Sequence, residues 1–441
     1  MQKYCAKNKN VLQYINEKEE FVMITSFKFD NCFAFNKPVE MTLKADMRTK
    51  KFSSNVINLN EKLNILKSIA IYGPNNTGKT SFIKCISVLK RTLENKPINL
   101  SANIFTGNSI STEAVSFIYN EKEYNYEYKF DCSNRSYVYE KMIEIIRDKH
   151  NNETEKIIFI KDTLNEKYEC PADQKLQDVL NIASTNNILI YTVQIEKFDI
   201  LRVIKEILTD VAKNIEIVDM NNIPNGKTIE MLKNKDEETK KIVDFIKSAD
   251  IYLDDYRYDE KMQLKIDNKE AEEKILKNQD IIDQMRMVSV YKGRPVPSII
   301  FDSLGTRKIA ALASYVITSI EKGKTLIIDE LDSSLHFKIT RAIISMFNNE
   351  LNKNAQLIAT LHDISLLDCK KMFRKEQIWF TDKNEEQTEL YSLKDFSYEQ
   401  SGIRGDTTDI QDRYSKGAFG AIPDPDLIST LLEVDVDAET D

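Results

Sequence analysis

Residues 66–89 read LKSIAIYGPNNTGKTSFIKCISVL, and this stretch decides the fold. It opens with a short apolar run ending at Tyr72, the length of a buried strand. It closes with Phe82, Ile83, Ile86 and Leu89 at helical spacing, on one face. Between them, Gly73-Pro-Asn-Asn-Thr-Gly-Lys-Thr80 matches G-x-x-x-x-G-K-[ST] in the strand–loop–helix setting that the motif requires. Gly73 and Gly78 let the backbone turn so that successive N–H groups, including those of Asn75, Asn76 and Thr77, point at phosphate oxygens. The helix that starts near Lys79 adds the positive end of its dipole at Thr80 and Ser81. The Lys79 ammonium would neutralise β- and γ-phosphates, and the Thr80 hydroxyl would ligate Mg²⁺. Only 11 glycines occur in 441 residues, so two of them at this spacing carry weight. The stretch predicts an ATP site with Mg²⁺ as cofactor.

Downstream, "TLIIDELDSSLH" (Thr325 to His336) is an apolar strand that delivers Asp329 and Glu330 to its end. After a phosphate loop, Asp329 fits the acid that holds Mg²⁺, and Glu330 fits the base that polarises an attacking water. A solvated acidic pair is the plain alternative. One strand later, "QLIATLHD" ends in His362. Upstream, "FDSLGTRKIAAL" sets Ser303 and Gly305 at a helix start, where a hydroxyl and free N–H groups form an anion site. An ordinary helix cap by Asp302 or Ser303 is the alternative there. His336 reads as structural or as a subunit contact.

The rest of the chain supports an α/β class. "FVMITSFKFDNCFAF" and "KPVEMTLKA" alternate as strands, and "EAVSFIYNEKEYNYEYKFD" (Glu113 to Asp131) reads as a hairpin about a polar turn. "YVYEKMIEII" and "KIIFIKD" continue the meander. From about residue 175 charged helical segments dominate, among them "FDILRVIKEILTDVAKNI", "TKKIVDFIKSADIYLDD" and "KEAEEKILKNQDIIDQM". Alternating α and β patterns resume after Val288, and "EQIWFTDK" and "TELYSL" read as a last strand pair. Four units are expected. Residues 1–174 hold the glycine loop and an antiparallel meander, and 175–287 a helical insertion. Residues 288–397 hold the downstream motifs, and 398–441 an irregular tail with a short helix and an acidic end.

Composition narrows the class. Hydrophobic residues are 41% and charged residues 30%, as in globular proteins in water. No apolar run approaches a bilayer span, the first twenty residues lack the core of a secretory signal, and a cytoplasmic place is expected. The six cysteines stand singly, with no C-x-x-C pair, against a disulfide framework or zinc site. A net charge of −8 gives no global nucleic-acid footprint, although a local basic patch leaves such contact open. "EVDVDAETD" reads as a solvated acidic tail and not a nuclease centre.

The order of glycine loop, Ser-x-Gly, Asp-Glu, Asp332 and His362 resembles the ABC-type ATPase heads of the SMC, Rad50 and RecF group, and Asn75 in G-x-N-x-x-G-K-[ST] adds to it. That resemblance implies a P-loop head with a mixed sheet and ATP sandwiched between two heads of a homo-oligomer. Lys79, Thr80, Asp329, Glu330 and the γ-phosphate-sensing His362 would come from one head, and Ser303 and Gly305 from the other. "SLGTRK", "LIIDELDSSLH", "TLHDISLLD", "QIWFTDK", "ELYSLKDF" and "KGAFGAIPD" further resemble a prokaryotic family of stand-alone ATPases. That family includes RloA of AbiL-type abortive-infection systems and AriA of PARIS anti-phage systems. It implies a defence sensor or scaffold acting with a separately encoded effector, often a Toprim-type nuclease. A DNA-maintenance ATPase of the RecF or Rad50 kind is the alternative, and a transporter subunit fits poorly. Two departures imply slow turnover. Thr306 follows Gly305 where a second glycine is usual, and the first Gln after Lys79 is Gln174, too late for the usual glutamine loop.

Overall fold

The computed structural model describes residues 21–60, 63–148, 150, 152–234, 237–249, 252–262, 278–384, 387–396 and 409–422. In it the strand ahead of the glycine loop lies inside a six-stranded sheet. With strands numbered along the chain, the order is β11 (Ile215–Asp219), β15 (Thr325–Asp329), β16 (Gln356–Thr360), β5 (Ser68–Tyr72), β17 (Ile378–Lys383) and β18 (Thr388–Ser392). The first five are parallel, and β18 returns antiparallel, which makes the sheet mixed.

Every residue of β5, β15 and β16 is buried. A strand covered on both faces has no solvent side, so it reads as an unbroken apolar run. The two-residue period still sorts the side chains. Ile69, Ile71, Ile327, Ile358 and Trp379 enter one core, while Ala70, Tyr72, Leu326, Ile328, Ala359 and Phe380 enter another. The first core also takes Phe82, Ile86 and Leu89 from the helix Lys79–Leu93, and Leu201, Ile204 and Leu208 from the helix Asp199–Asn214. The second takes Leu312 and Val316 from the helix Leu304–Glu321, and Ile343 and Phe347 from the helix Phe337–Phe347.

The first core is closed by a seven-stranded antiparallel sheet. Its order is β10 (Lys167–Glu169), β9 (Glu153–Asp162), β8 (Ser136–Arg147), β7 (Lys122–Asp131), β6 (Ile110–Tyr119), β1 (Val22–Asp30) and β2 (Val39–Thr42). The expected hairpin is β6–β7. Tyr119 pairs with Lys122, and Asn120 and Glu121 between them both have positive φ, at 47° and 70°. A two-residue loop of that handedness matches the twist of paired strands. Two small sheets also occur among the described residues: β3 (Val56–Asn60) with β4 (Leu63–Leu66), and β12 (Asp255–Tyr258), β13 (Met287–Tyr291) and β14 (Arg294–Pro297). No described helix is long and apolar enough to cross a membrane.

The segment 175–287, expected as a helical insertion, is not helical throughout. It holds the helices Gly226–Asn234 and Glu237–Ser248, yet it also supplies β11 to the central sheet. The helix Asp199–Asn214 ends without Gly or Pro, and Ile215 passes directly into extended backbone. Asn214 fixes that junction. Its amide donates to the Gly323 and Val22 carbonyls at 3.0 and 3.3 Å, and its oxygen accepts from the Thr325 hydroxyl at 2.8 Å. Residues 1–20, 263–277, 397–408 and 423–441 lie outside the described residues. Most of "KEAEEKILKNQDIIDQM" and the whole acidic tail fall there.

Candidate nucleotide site

Gly73 leaves β5 with φ 153°, and a Cβ on it would stand 2.3 Å from the Thr381 carbonyl oxygen. Gly78 has φ 103°, and its Cβ would stand 2.8 Å from the Thr388 methyl. The two glycines are therefore required twice, for the turn itself and because β17 and β18 press on the loop. Thr77 closes the loop from inside: its hydroxyl bonds to the Pro74 carbonyl at 2.8 Å and to the Thr381 hydroxyl at 2.8 Å. Asn76 sits in left-handed backbone at φ 64°. Asn75, Asn76 and Thr80 are exposed and Ser81 is half-buried.

Lys79 is buried, and its ammonium donates to the carbonyls of Gly73 at 2.5 Å and Pro74 at 2.8 Å. Burial holds its pKa below the usual lysine value, against the opposing pull of Asp329, Glu330 and Asp332. A phosphate oxygen would have to replace those carbonyls, and it would restore the preference for the charged form.

Parallel register brings the acids to the same edge. Ile328 is level with Ala359 and Thr360 with Ile71, so Asp329 and Thr360 end their strands beside the exit of β5. The Thr360 hydroxyl donates to Asp329 Oδ1 at 2.6 Å and accepts from the Glu330 N–H at 2.7 Å. One hydroxyl thus sets both acids, and nothing in the sequence marks it. Glu330 adopts φ 55°, which is sparsely populated for a residue with a side chain. Its Oε2 accepts from the Asn221 amide at 2.8 Å. Asp332 turns the other way: its Oδ2 accepts the N–H groups of His362 at 2.7 Å and Asp363 at 2.6 Å. His362 is exposed at this edge, held by its backbone.

Ser303 and Gly305 are not gathered with these residues. Ser303 caps the helix Leu304–Glu321 by accepting from the Thr306 N–H at 3.1 Å, as the plain cap reading expects. The two residues line a groove of about 500 Å³ with Ser334, His336 and Met346, and no glycine-loop residue lines it. A Cβ on Gly305 would stand 2.9 Å from the Ser334 carbonyl oxygen, so this glycine is required for packing within the chain. His336 caps the helix Phe337–Phe347 through Nδ1, and its ring lies 4.7 Å from that of Phe337. Gln174 bonds to Asp178 on its own helix at 2.9 Å.

A family model described as "AAA domain, putative AbiEii toxin, Type IV TA system" matches residues 68–368. The chain belongs to this family. No match was found among curated proteins. Solved structures to which it is similar include the SMC head domain from Thermotoga maritima, at 12% identity over 84% of this chain and 98% of that one, with TM-score 0.38. Another is the SmcHead bound to the C-winged helix domain of ScpA, at 12% identity over 84% and 98%, with TM-score 0.45. A third is the Smc head domain with an extended coiled coil bound to the C-terminal domain of ScpA derived from Pyrococcus furiosus, at 12% over 87% and 98%, with TM-score 0.42. For this AAA domain, the strand order and the glycine loop carry the fold.

The AAA domain's donors fit Mg²⁺. Asp329 is buried and offers Oδ2 beside a Thr360-held Oδ1, and the Thr80 hydroxyl is exposed one residue from Lys79. Among the described residues no group of three or more His, Cys, Asp or Glu forms a metal cage. Mg²⁺ at a phosphate site takes one or two protein oxygens and fills its shell with phosphate and water. The late motif, over residues 416–422, packs on β17 and β18. Phe419 packs on Phe380 of β17 at 5.7 Å, the Tyr391 hydroxyl of β18 donates to the Phe419 carbonyl at 2.7 Å, and the Ala421 N–H donates to Asp382 at 3.0 Å.

Proposed function

We propose that this chain binds ATP with Mg²⁺ and hydrolyses it, and that nucleotide-dependent pairing of two heads controls a separate effector in a bacterial anti-phage system. One observation carries the enzymatic part: Asp329 and Glu330 lie at the same sheet edge as the glycine loop that carries Lys79, with the Thr360 hydroxyl bonded to both acids' segments. The loop N–H groups from Asn75 to Ser81 hold the β- and γ-phosphates, and Lys79 neutralises them. Thr80 and Asp329 would hold Mg²⁺, which supplies charge neutralisation on the transferred group. Glu330 takes a proton from the water that attacks the γ-phosphorus as the bond to the β–γ bridging oxygen breaks. His362 stands ready to sense the γ-phosphate.

Ser303 and Gly305 then serve the nucleotide of a second copy. The support is exposure: Ile300, Phe301 and Leu304 around Ser303 are 61, 62 and 54% exposed, an apolar face suited to being covered. The toxin–antitoxin description of the family supports a partner protein, for which a Toprim-type nuclease is our candidate.

Glu330→Gln should slow steady-state hydrolysis at least about 100-fold while ATP stays bound. Lys79→Ala should remove ATP binding in a titration with labelled nucleotide. A Glu330→Gln protein that turns over at the normal rate rejects the catalytic assignment. For the partner, co-purification with the neighbouring gene product should depend on ATP. Salt-sensitive retention of DNA by the isolated protein, with no such partner, would turn the reading to direct DNA maintenance.

A further inference from the structure

We propose that Asn221 is a positioning residue for Glu330, and that through Ser333 and Lys308 it ties the Glu330 carboxylate to the helix that displays Ser303. The inference rests on the reading of Glu330 as the base.

The strand β11 lies parallel to β15 with Asp219 level with Asp329. Both chains leave the sheet at one edge, so Asn221 and Glu330 emerge side by side. Asp219 fixes the turn that follows β11 by accepting from the Asn221 N–H at 2.8 Å and the Asn222 amide at 3.1 Å. The Asn221 side chain is then used at both ends. Its NH₂ donates to Glu330 Oε2 at 2.8 Å, and its oxygen accepts from the Ser333 hydroxyl at 3.0 Å. Because donor and acceptor are both engaged, the amide has one orientation. Reversed, its oxygen would face the acceptor-only carboxylate, and only its NH₂ could still find a partner, in the Ser333 hydroxyl.

Ser333 belongs to the turn that Glu330 opens, since its N–H donates to the Glu330 carbonyl at 2.8 Å. Lys308 reaches that turn from the other side. It is buried, and its ammonium lies 3.2 Å from the Ser333 hydroxyl and 3.3 Å from that of Ser334. Lys308 stands on the helix that Ser303 caps, and Gly305 of that helix presses on the Ser334 carbonyl. The path Ser303 helix–Lys308–Ser333–Asn221–Glu330 is therefore continuous within one chain. A carboxylate on a two-carbon stem keeps several rotamers unless something holds it. Asn221 does so while leaving Oε1 to the water. Contact at the Ser303 face then acts on the same chain's own base, in addition to completing the neighbour's site.

The test is Asn221→Ala in steady-state ATPase kinetics, alone and with Glu330→Gln, with ATP binding and thermal unfolding measured alongside. Asn221→Ala should lower kcat roughly 10- to 100-fold, the range for a misplaced catalytic group, and leave ATP affinity and melting temperature unchanged. Ser333→Ala, which keeps Asn221 but frees its amide, should give a smaller loss of kcat. In single-turnover assays the Asn221→Ala, Glu330→Gln double variant should be no slower than Glu330→Gln alone, because both act through one group. Normal kcat in Asn221→Ala overturns the proposal, as does a double variant whose losses multiply. If Glu330→Gln alone is as fast as the wild type, the reading of Glu330 as the base has failed, and the relay has lost its target with it.

Discussion

Thr360 and Thr381 are single hydroxyls that each serve a motif from far along the chain. Thr360 reaches Asp329 across 31 positions, and Thr381 reaches Thr77 across 304. The backbone of Thr381 leads to a firm expectation for Gly73→Ala. The added methyl meets the Thr381 carbonyl, and the φ of 153° suits glycine alone, so the loop must distort at a cost of about 1–3 kcal/mol. ATP affinity should fall more than about tenfold in a binding titration, and a Thr381→Ala change in the same chain should not restore it, because the carbonyl remains. The motif residues were legible in the sequence because their spacing is local and their chemistry specific. Thr360, Thr381 and Asn221 were not, since a plain Thr or Asn reaches a motif only when the fold carries it there from a distant part of the chain.

Among the elements, the antiparallel strands carry buried carboxylates with an expected pH signature. Glu140 of β8 lies level with Lys161 of β9, and both are buried. Glu140 accepts from the Leu189 N–H at 2.7 Å and the Tyr126 hydroxyl at 3.2 Å. Burial pushes its pKa from 4.5 up to about 7, opposed by Lys161 and those two donors. The folded chain therefore keeps a proton that the unfolded chain has released. That contribution is complete below the unfolded value of 4.5 and is lost as pH rises through about 7. The shift corresponds to a cost on the order of 3 kcal/mol above that range. Denaturant titrations from pH 5 to 8 should give a steeper decline for the wild type than for Glu140→Gln, which keeps an acceptor without the charge. The elements themselves were unevenly legible. Hairpins and the strands β15 and β16 follow from alternation or unbroken apolar runs bounded by turn residues. The strand β11 did not, because "IEIVD" continues a charged helix without a breaker and its partner, β15, lies more than a hundred residues downstream.

Across the whole molecule, the glycine loop is shaped by residues near the opposite end of the described chain. Phe419 is buried between Phe380 and Phe396, with ring centroids at 5.7 and 5.3 Å. Phe380 precedes Thr381, the residue against which Gly73 and Thr77 are packed. Phe419→Ala should lower unfolding free energy by about 3 kcal/mol in denaturant melts, the usual cost of a large-to-small core change. It should also weaken ATP binding, although Phe419 is not among the residues assigned to nucleotide. Unchanged affinity in a folded Phe419→Ala protein would mean that β17 and β18 keep their place without the late motif.

The central sheet also has a history written into it. β5 ends at Tyr72, while the strands on its two sides begin at Gln356 and Ile378. A ribosome that adds about 5–20 residues per second leaves β5 without either neighbour for roughly 15 to 60 seconds. Through that interval the apolar run SIAIY has bare edges on both sides, the condition that invites pairing with another nascent chain. Every copy of this ATP site thus begins as an orphaned strand, whose edges are covered only once β16 and β17 have been made.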